Sequence, residues 1–502
     1  MRRDVDRFES ERFDLLIVGG GIHGAAIAWD ASLRGLRVAL VEQRDFASAT
    51  TGNSMRIAHG GLRAIQQFAV GRLRQSAREQ AILFRIAPGQ VQPLPCLIPI
   101  YRGSANGVTA FRAAFASSRL LTLDINREFD APLPPPRIVS TEETTTCFDG
   151  FEARDLTGGA LWYDAQVPDI ERLVLAFLRS AVDRGATAAN YVRARRLIVE
   201  NGAVAGAHLT DQLTGRDLRV QARMVVNAAG PWCGEVAESS RVSDSAHLPQ
   251  RWAQGVNLVV DRPPPPVAIG IRSPWGAERD PIMGGHRYLF MTGWKGATLA
   301  GTSYCFSSAN GPSLRSQATE LVEEWNAACP SLQWKQSDVS HQHCGRLPLR
   351  DGFQPGRPTA LLDQSVIVEH GRHGLAGLLS VVATKFTTAR RTAESVVDSV
   401  MRSLGKPRER CLTSEVLLVN PPQPGDLKTR VRISIREEMA VSLEDIVVRR
   451  LAFGLSNCPP VDVLGRIADL AAADLGWSSA QTDQELQLLL GRLHPGGVTR
   501  AA

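Results

Sequence analysis

Three glycines and one carboxylate carry the clearest chemistry in this sequence. Gly19, Gly21 and Gly24 form Gly-x-Gly-x-x-Gly directly after the apolar run Asp14–Val18. Glu42 stands at the end of a second apolar run, Arg37–Val41. Each type meets a physical need of a bound dinucleotide. Gly19 permits a tight turn, Gly21 lets backbone N–H groups approach a pyrophosphate, and Gly24 lets the next helix pack on the strand. The helix N-terminus, which includes Ile22 and His23, adds partial positive charge for the phosphates. A carboxylate at position 42 can accept the hydroxyls of an adenosine ribose. A glycine turn alone would signal little, but strand, turn, helix, strand and terminal acid in this order point to a dinucleotide site.

The elements that hold these residues follow from periodicity. Asp14–Val18 is short and rich in branched residues, as a buried parallel strand should be. Ala25–Leu33 reads as a small-residue helix with Gly35 as its C-cap, and Arg37–Val41 as the second strand. Asp169–Gly185 puts Leu173, Val174, Phe177 and Leu178 on one helical face. The stretch from Ala194 to Gly230 reads as a β-meander with turns at Asn201-Gly202 and Thr214-Gly215. It runs into a further buried strand, Met224–Ala228. Gly377–Val397 reads as a strand leading straight into a helix. The Pro-rich stretches Ala131–Ser140 and Asp261–Gly270 mark loops or crossings between lobes. Beyond residue 426 the glycine turns stop and amphipathic segments follow, with Ser442-x-x-Asp445 as a capping-box start.

Length and composition bound the answer further. A chain of 502 residues is too long for one simple core, so two or three domains are expected. Apolar content of 44% and charged content of 22% are ordinary for a globular protein. The net charge of +6 suits anionic ligands or an anionic membrane surface. Its arginines are scattered and not interleaved with aromatics, so no nucleic-acid partner is expected. None of the eight cysteines forms Cys-x-x-Cys, which argues against zinc and against a dithiol centre; no metal is expected. The charged N-terminus shows no secretory signal, and no stretch is apolar for long enough to span a bilayer. A cytoplasmic protein is expected, with room for peripheral contact at the inner face of the membrane.

Only one complete nucleotide fingerprint is present. Gly371-x-x-Gly374-x-x-Gly377 lacks the required spacing, so a nicotinamide reducing a separate flavin is not expected. The run "GGGIHGAAIAWDASLRGLRVALVEQRDFASATTGNSMRIAHGGLR" (Gly19–Arg63) resembles the FAD-dependent glycerol-3-phosphate dehydrogenases of the wider glycine oxidase/D-amino acid oxidase superfamily. Val225–Trp232 ("VVNAAGPW"), Gly301–Ser303, "LLSVVATKFTT" and Arg436–Arg450 ("REEMAVSLEDIVVRR") match later landmarks in the same order. The resemblance spans nearly the whole chain. It implies an α/β fold, α+β overall. A Rossmann-like FAD-binding domain covers residues 1–420, with an antiparallel substrate-binding sheet interleaved mainly at 85–160 and 240–345. An α-helical C-terminal domain covers 426–502. It implies FAD as cofactor, a small-molecule substrate, and quinone, oxygen or another electron acceptor. The cofactor-binding positions it carries are Gly19, Gly21, Ile22, His23, Gly24, Glu42, Gln43, Thr50, Asn53, Ser54, His59, Gly60, Val192, Lys385, Phe386 and Thr387.

The family's substrate residues are only partly kept. Arg63 is present, but Ala64 stands where the family has Tyr. Asn257 stands at the position of a family His that could serve as base. In Cys344–Leu349, Arg346 comes one position early and Leu347 takes the usual Arg slot; on a strand, that offset turns a side chain to the other face. Ala389 replaces a second Tyr, and a second downstream Arg has no counterpart near Thr359–Asp363. These changes enlarge the pocket and remove guanidinium forks that a phosphate dianion needs. Arg63, Arg346, Lys385 and Asn257 are the expected catalytic and anion-binding set, with His343, His341 and Arg287 as weaker candidates. The expected reaction passes hydride from a substrate C–H to flavin N5, the substrate being an alcohol or amine other than plain glycerol 3-phosphate. True glycerol-3-phosphate oxidation and a flavin-binding protein without catalysis are the alternatives.

Overall fold

The computed structural model describes residues 1–62, 69–103, 107–129, 133–240, 247–285, 287–307, 313–350, 361–407, 409–420, 425–453 and 459–493. Arg63, Ala64 and residues 351–360 lie outside the described residues. An eight-stranded sheet is built around the strand that enters the glycine turn. Arg12–Val18 is buried after its first residue and pairs in parallel with Val38–Val41 on one side and with Asp217–Asn227 on the other. Thr187–Ala189 and Leu378–Val382 extend the sheet in parallel, and Val366–Glu369 closes one edge antiparallel. Strands covered on both faces are apolar on both faces, which is why Leu15, Leu16 and Ile17 are all buried.

Helix Ile22–Leu33 covers one face with helices Ile170–Val182 and Ala389–Ser403. It starts three residues before the expected Ala25, because Gly21 takes an extended N-cap conformation that admits Ile22 as the first helical residue. Trp29 meets Phe177 edge-on at 5.4 Å in the middle of this layer. Gly35, at φ +71°, ends the helix, and Leu36 N–H bonds to the Ala31 carbonyl. The other face carries the meander Val192–Glu200, Ala203–Asp211 and Asp217–Asn227. Its Asn201-Gly202 turn has both residues at positive φ, as a two-residue hairpin of the primed type requires. Strand Asp217–Asn227 serves two systems: its first half pairs antiparallel in the meander and its second half joins the parallel sheet.

A nine-stranded, largely antiparallel sheet forms the second lobe, drawing its strands from Gln92–Gln166 and Trp252–Pro348 with Ile57–Ala58 at one edge. Helix Leu314–Ala328 packs Trp325 and Leu321 against Leu258, Leu289 and Met291. The last described segment is helical: Leu427–Arg436, Val461–Leu475 and Ser479–Leu493, with a π-helical turn at Asp445–Arg450. Ser442 and Asp445 make the capping box in both directions, Asp445 N–H to Ser442 Oγ (3.1 Å) and Ser442 N–H to Asp445 Oδ2 (3.2 Å). The segment has its own apolar cluster around Ile446, Leu464, Ile467 and Leu489. Among the described residues no helix is long and apolar enough to cross a membrane.

Buried ion pairs tie the helices that flank the lobes. Arg390, at the start of helix Ala389–Ser403, holds Glu79 of helix Val70–Ile86 through two bonds of 2.8 and 2.6 Å, and Glu79 is 2% exposed. Removing one partner of such a pair leaves an uncompensated buried charge. Arg390→Met should therefore destabilise the protein by about 3–5 kcal/mol, read as a lower urea midpoint at unchanged m-value.

Candidate functional site

The glycine turn sits where three parallel strands end, and the site is built outward from there. Gly19, at φ +116°, has its Cα against the strand end at Ala228: a Cβ would lie 2.5 Å from the Ala228 carbonyl oxygen. A Cβ on Gly24 would lie 1.9 Å from the Gly19 carbonyl oxygen. No side chain fits between turn and helix, so the helix N-terminus is drawn against the channel. Glu42 accepts N–H bonds from Gly20 (2.7 Å) and Arg44 (2.9 Å). Burial pushes its pKa up, and those two bonds oppose the shift.

A cleft of about 370 Å³ runs from these residues along the ends of the strands. Gly19, Gly21, Ile22, His23, Glu42, Gln43 and Val192 line its first half, and Thr50, Asn53, Ser54, His59, Lys385, Phe386 and Thr387 its second. Gly24 and Gly60 do not line it; they act through backbone contacts beneath it. His23 Nε2 is buried without a hydrogen-bond partner, and burial pushes the His23 pKa down to about 4. An uncharged, unpaired ring nitrogen at a glycine turn fits a polar dinucleotide passing close by. The cleft, the turn, the ribose-side acid and this nitrogen together suit FAD.

At its far end the cleft opens into an inner cavity of about 450 Å³. Met55, Ile57, His59, Thr302, Tyr304, Leu347, Thr384 and Lys385 line both, so this junction is where a cofactor ring and a substrate would meet. His59 Nδ1 lies 3.0 Å from Asp164 Oδ2. An ionised carboxylate only accepts, so Nδ1 carries the proton of the neutral ring and Nε2 carries the lone pair. Asp164 is buried, which pushes its pKa up. The bond from His59 and the Gly60 N–H (2.7 Å) outweigh that and hold it below the usual carboxylate range.

The other expected residues fall in different places. Asn257 lines the cleft and not the inner cavity; its Nδ2 donates to the Asn53 carbonyl (3.1 Å) and its Oδ1 accepts from Thr302 (2.6 Å). Arg346 lines only the cleft, its backbone meeting Thr50 Oγ1, whereas Leu347 reaches both spaces. Arg63 lies outside the described residues. Of the weaker candidates, Arg287 lines the inner cavity, paired with Glu324 and with Asp280 (3.5 Å). His343 is buried edge-on to Trp294 at 5.1 Å, where burial depresses its pKa, and His341 Nε2 meets the Arg492 carbonyl; neither lines cleft or cavity. Asp164, Arg72 and the aromatic wall of Phe111, Trp162, Tyr288, Phe290 and Tyr304 were not expected from the sequence. Asp164 had one signal: it is the sole charged residue in the strand Leu156–Gln166.

Comparison with known proteins bears on this geometry. A family model described as FAD-dependent oxidoreductase matches residues 14–384. A glycerol-3-phosphate dehydrogenase of Synechocystis sp. is 28% identical, with 97% of each chain covered. An aerobic glycerol-3-phosphate dehydrogenase of Staphylococcus aureus is 29% identical over 79% of this chain and 68% of its own. The FAD complex of glycerol-3-phosphate dehydrogenase from Bacillus halodurans superposes with a TM-score of 0.73 at 22% identity, covering 99% of this chain and 98% of that one.

The backbone contact makes a direct prediction. Gly24→Ala should abolish FAD binding while far-ultraviolet circular dichroism stays largely intact, because the added methyl forces helix and turn apart. A yellow variant with unchanged FAD affinity would contradict the arrangement.

Proposed function

The chain belongs to the FAD-dependent oxidoreductase family, and from that premise we propose that it oxidises an alcohol or amine bulkier and less anionic than glycerol 3-phosphate. FAD, when bound, supplies the acceptor for a hydride from the substrate C–H and passes the electrons on. The rest falls to this chain's own residues. His59 Nε2 takes the O–H or N–H proton, with Asp164 holding the ring in its Nδ1–H tautomer. Lys385 offers positive charge to the oxygen or nitrogen that loses its proton. Arg346 is assigned to the cofactor side and Asn257 to the wall, where it ties the Asn53 loop to Thr302. Arg63 is retained as an anion-binding residue. Quinone or oxygen is the acceptor, and a quinone would be met at the inner face of the membrane.

The observation that carries the substrate reading is the inner cavity. Its volume of about 450 Å³ and its aromatic wall suit a body larger than a triose phosphate. Leu347 occupies the wall where a guanidinium would be needed. The described arginines there already have acids: Arg72 holds Asp363 at 2.8 Å and Arg287 holds Glu324. Drawing Arg287 to a phosphate would strand Glu324, which is fully buried, at a cost of about 3–5 kcal/mol. A second reading, glycerol-3-phosphate oxidation itself, is favoured by the relative of that name that matches over 97% of its length, with Lys385 and Arg63 as phosphate ligands.

An anaerobic titration separates the readings. Aryl or long-chain alcohols and amines should bleach the flavin at lower concentration than glycerol 3-phosphate. Leu347→Arg should strengthen glycerol 3-phosphate binding on the order of 10–100-fold, the worth of one charged hydrogen-bonding partner. If glycerol 3-phosphate bleaches the unmodified protein at micromolar levels, the second reading holds. If no alcohol or amine bleaches it, the protein binds flavin without catalysis.

A further inference from the structure

Buried charges between the helical tail and the first sheet have no part in the chemistry above, yet they converge on the wall of the cofactor cleft. Asp45, three residues beyond Glu42, is buried. Its carboxylate accepts two bonds from Arg450 (2.7 and 2.6 Å), one from Arg449 (2.5 Å) and one from Asn190 (2.9 Å). Burial pushes the Asp45 pKa up, but the two guanidinium groups prevail and hold it well below the usual range. Asn190 also donates to the Met439 carbonyl (2.8 Å), and the Tyr191 hydroxyl reaches both oxygens of Asp445 (2.9 and 3.0 Å).

The groups held in this way adjoin the cofactor. Glu42, Gln43, Arg44, Ala47 and Val192 line the cleft. Their two segments are knitted together: Glu42 N–H bonds to Ala189 O (3.0 Å), Tyr191 N–H to Arg44 O (3.0 Å) and Val192 N–H to Glu42 O (2.8 Å). Ala47 N–H reaches the Gly20 carbonyl in the glycine turn (3.2 Å). Two of these residues, Ala47 (φ +59°) and Tyr191 (φ +55°), sit in the left-handed region. Non-glycine residues stay there only where the surroundings over-determine them. Asp445 of the tail holds the Tyr191 hydroxyl, and the tail's arginines hold Asp45, two residues before Ala47. Without its arginines Asp45 would be a buried, nearly unpaired charge, and its segment would move to solvate it.

We propose that the helical tail is a retention clamp for the adenosine half of the cofactor, with Arg449 and Arg450 as positioning residues that hold Asp45 and preorganise the Glu42–Ala47 wall. The proposal rests on FAD dependence and is independent of which substrate is oxidised.

The test uses the full-length chain stripped of flavin, titrated with FAD by flavin fluorescence and with ADP by competition. ADP carries the adenosine and diphosphate but no flavin. Arg450→Met should weaken FAD on the order of tenfold, the scale of a wall that must be re-ordered on binding, and should weaken ADP by the same factor. Tyr191→Phe, which changes no charge, should weaken both by a few-fold. Thermal melts of each apo variant confirm that it is folded at the titration temperature. FAD affinity within twofold of the parent in Arg450→Met overturns the proposal, as does weakened FAD with unchanged ADP. Should Arg450→Met fail to fold, Tyr191→Phe and Asp45→Asn decide by the same criteria.

Discussion

Gly24 meets Gly19 backbone to backbone, and the cofactor cleft is built outward from that contact. With 1.9 Å between a notional Cβ and the Gly19 carbonyl oxygen, only hydrogen can occupy the space. Strand, turn and helix therefore meet backbone to backbone, and the N-terminal residues Ile22 and His23 of the helix line the cleft. The neighbouring strand Asp217–Asn227 ends against the same turn at Ala228, and Leu378–Val382 ends nearby to deliver Lys385–Thr387. Ligands of open parallel sheets lie beyond the carboxyl ends of the strands, and here three such ends define the path along which FAD must lie.

The second lobe adds the inner cavity to that cleft. Its strand Leu156–Gln166 carries Asp164 to the junction, where it orients His59 from a different part of the chain. Among the described residues, the arginines that line the inner cavity are held by acids, while Lys385 stands at the junction. Arg72 and Asp363, and Arg287 with Glu324 and Asp280, are pairs whose separation would expose a buried or half-buried charge. On the proposed reading, an aromatic wall of this kind would select by shape and apolar contact more than by charge.

Much of this was legible in the sequence, for a physical reason. The nucleotide site is local: Gly19, Gly21, Gly24 and Glu42 lie within one βαβ unit, and their spacing is dictated by one turn and one helix. The meander turn at Asn201-Gly202 and the capping box at Ser442 and Asp445 are local in the same sense. The junction is not. Asp164 and His59 are 105 positions apart and belong to no shared pattern, so only the register of Ile57–Ala58 on Leu156–Gln166 brings them together. Arg346 and Leu347 both line the cleft, and Leu347 alone reaches the inner cavity as well. The seam of Asp45 with Arg449 and Arg450, which lie about 400 residues apart in sequence, could not be read from any local pattern, since buried ion pairs leave no periodicity.

We propose the junction of cleft and cavity as the reaction centre, with His59 as the base that Asp164 orients. The most direct test is stopped-flow measurement of anaerobic flavin reduction in Asp164→Asn, using glycerol 3-phosphate and an aryl alcohol as reductants. The variant should keep its FAD and reduce it on the order of 10²–10⁴-fold more slowly than the parent, the loss expected when a general base is misdirected. Reduction at the parent rate, with FAD fully bound, would contradict the claim and move the base elsewhere.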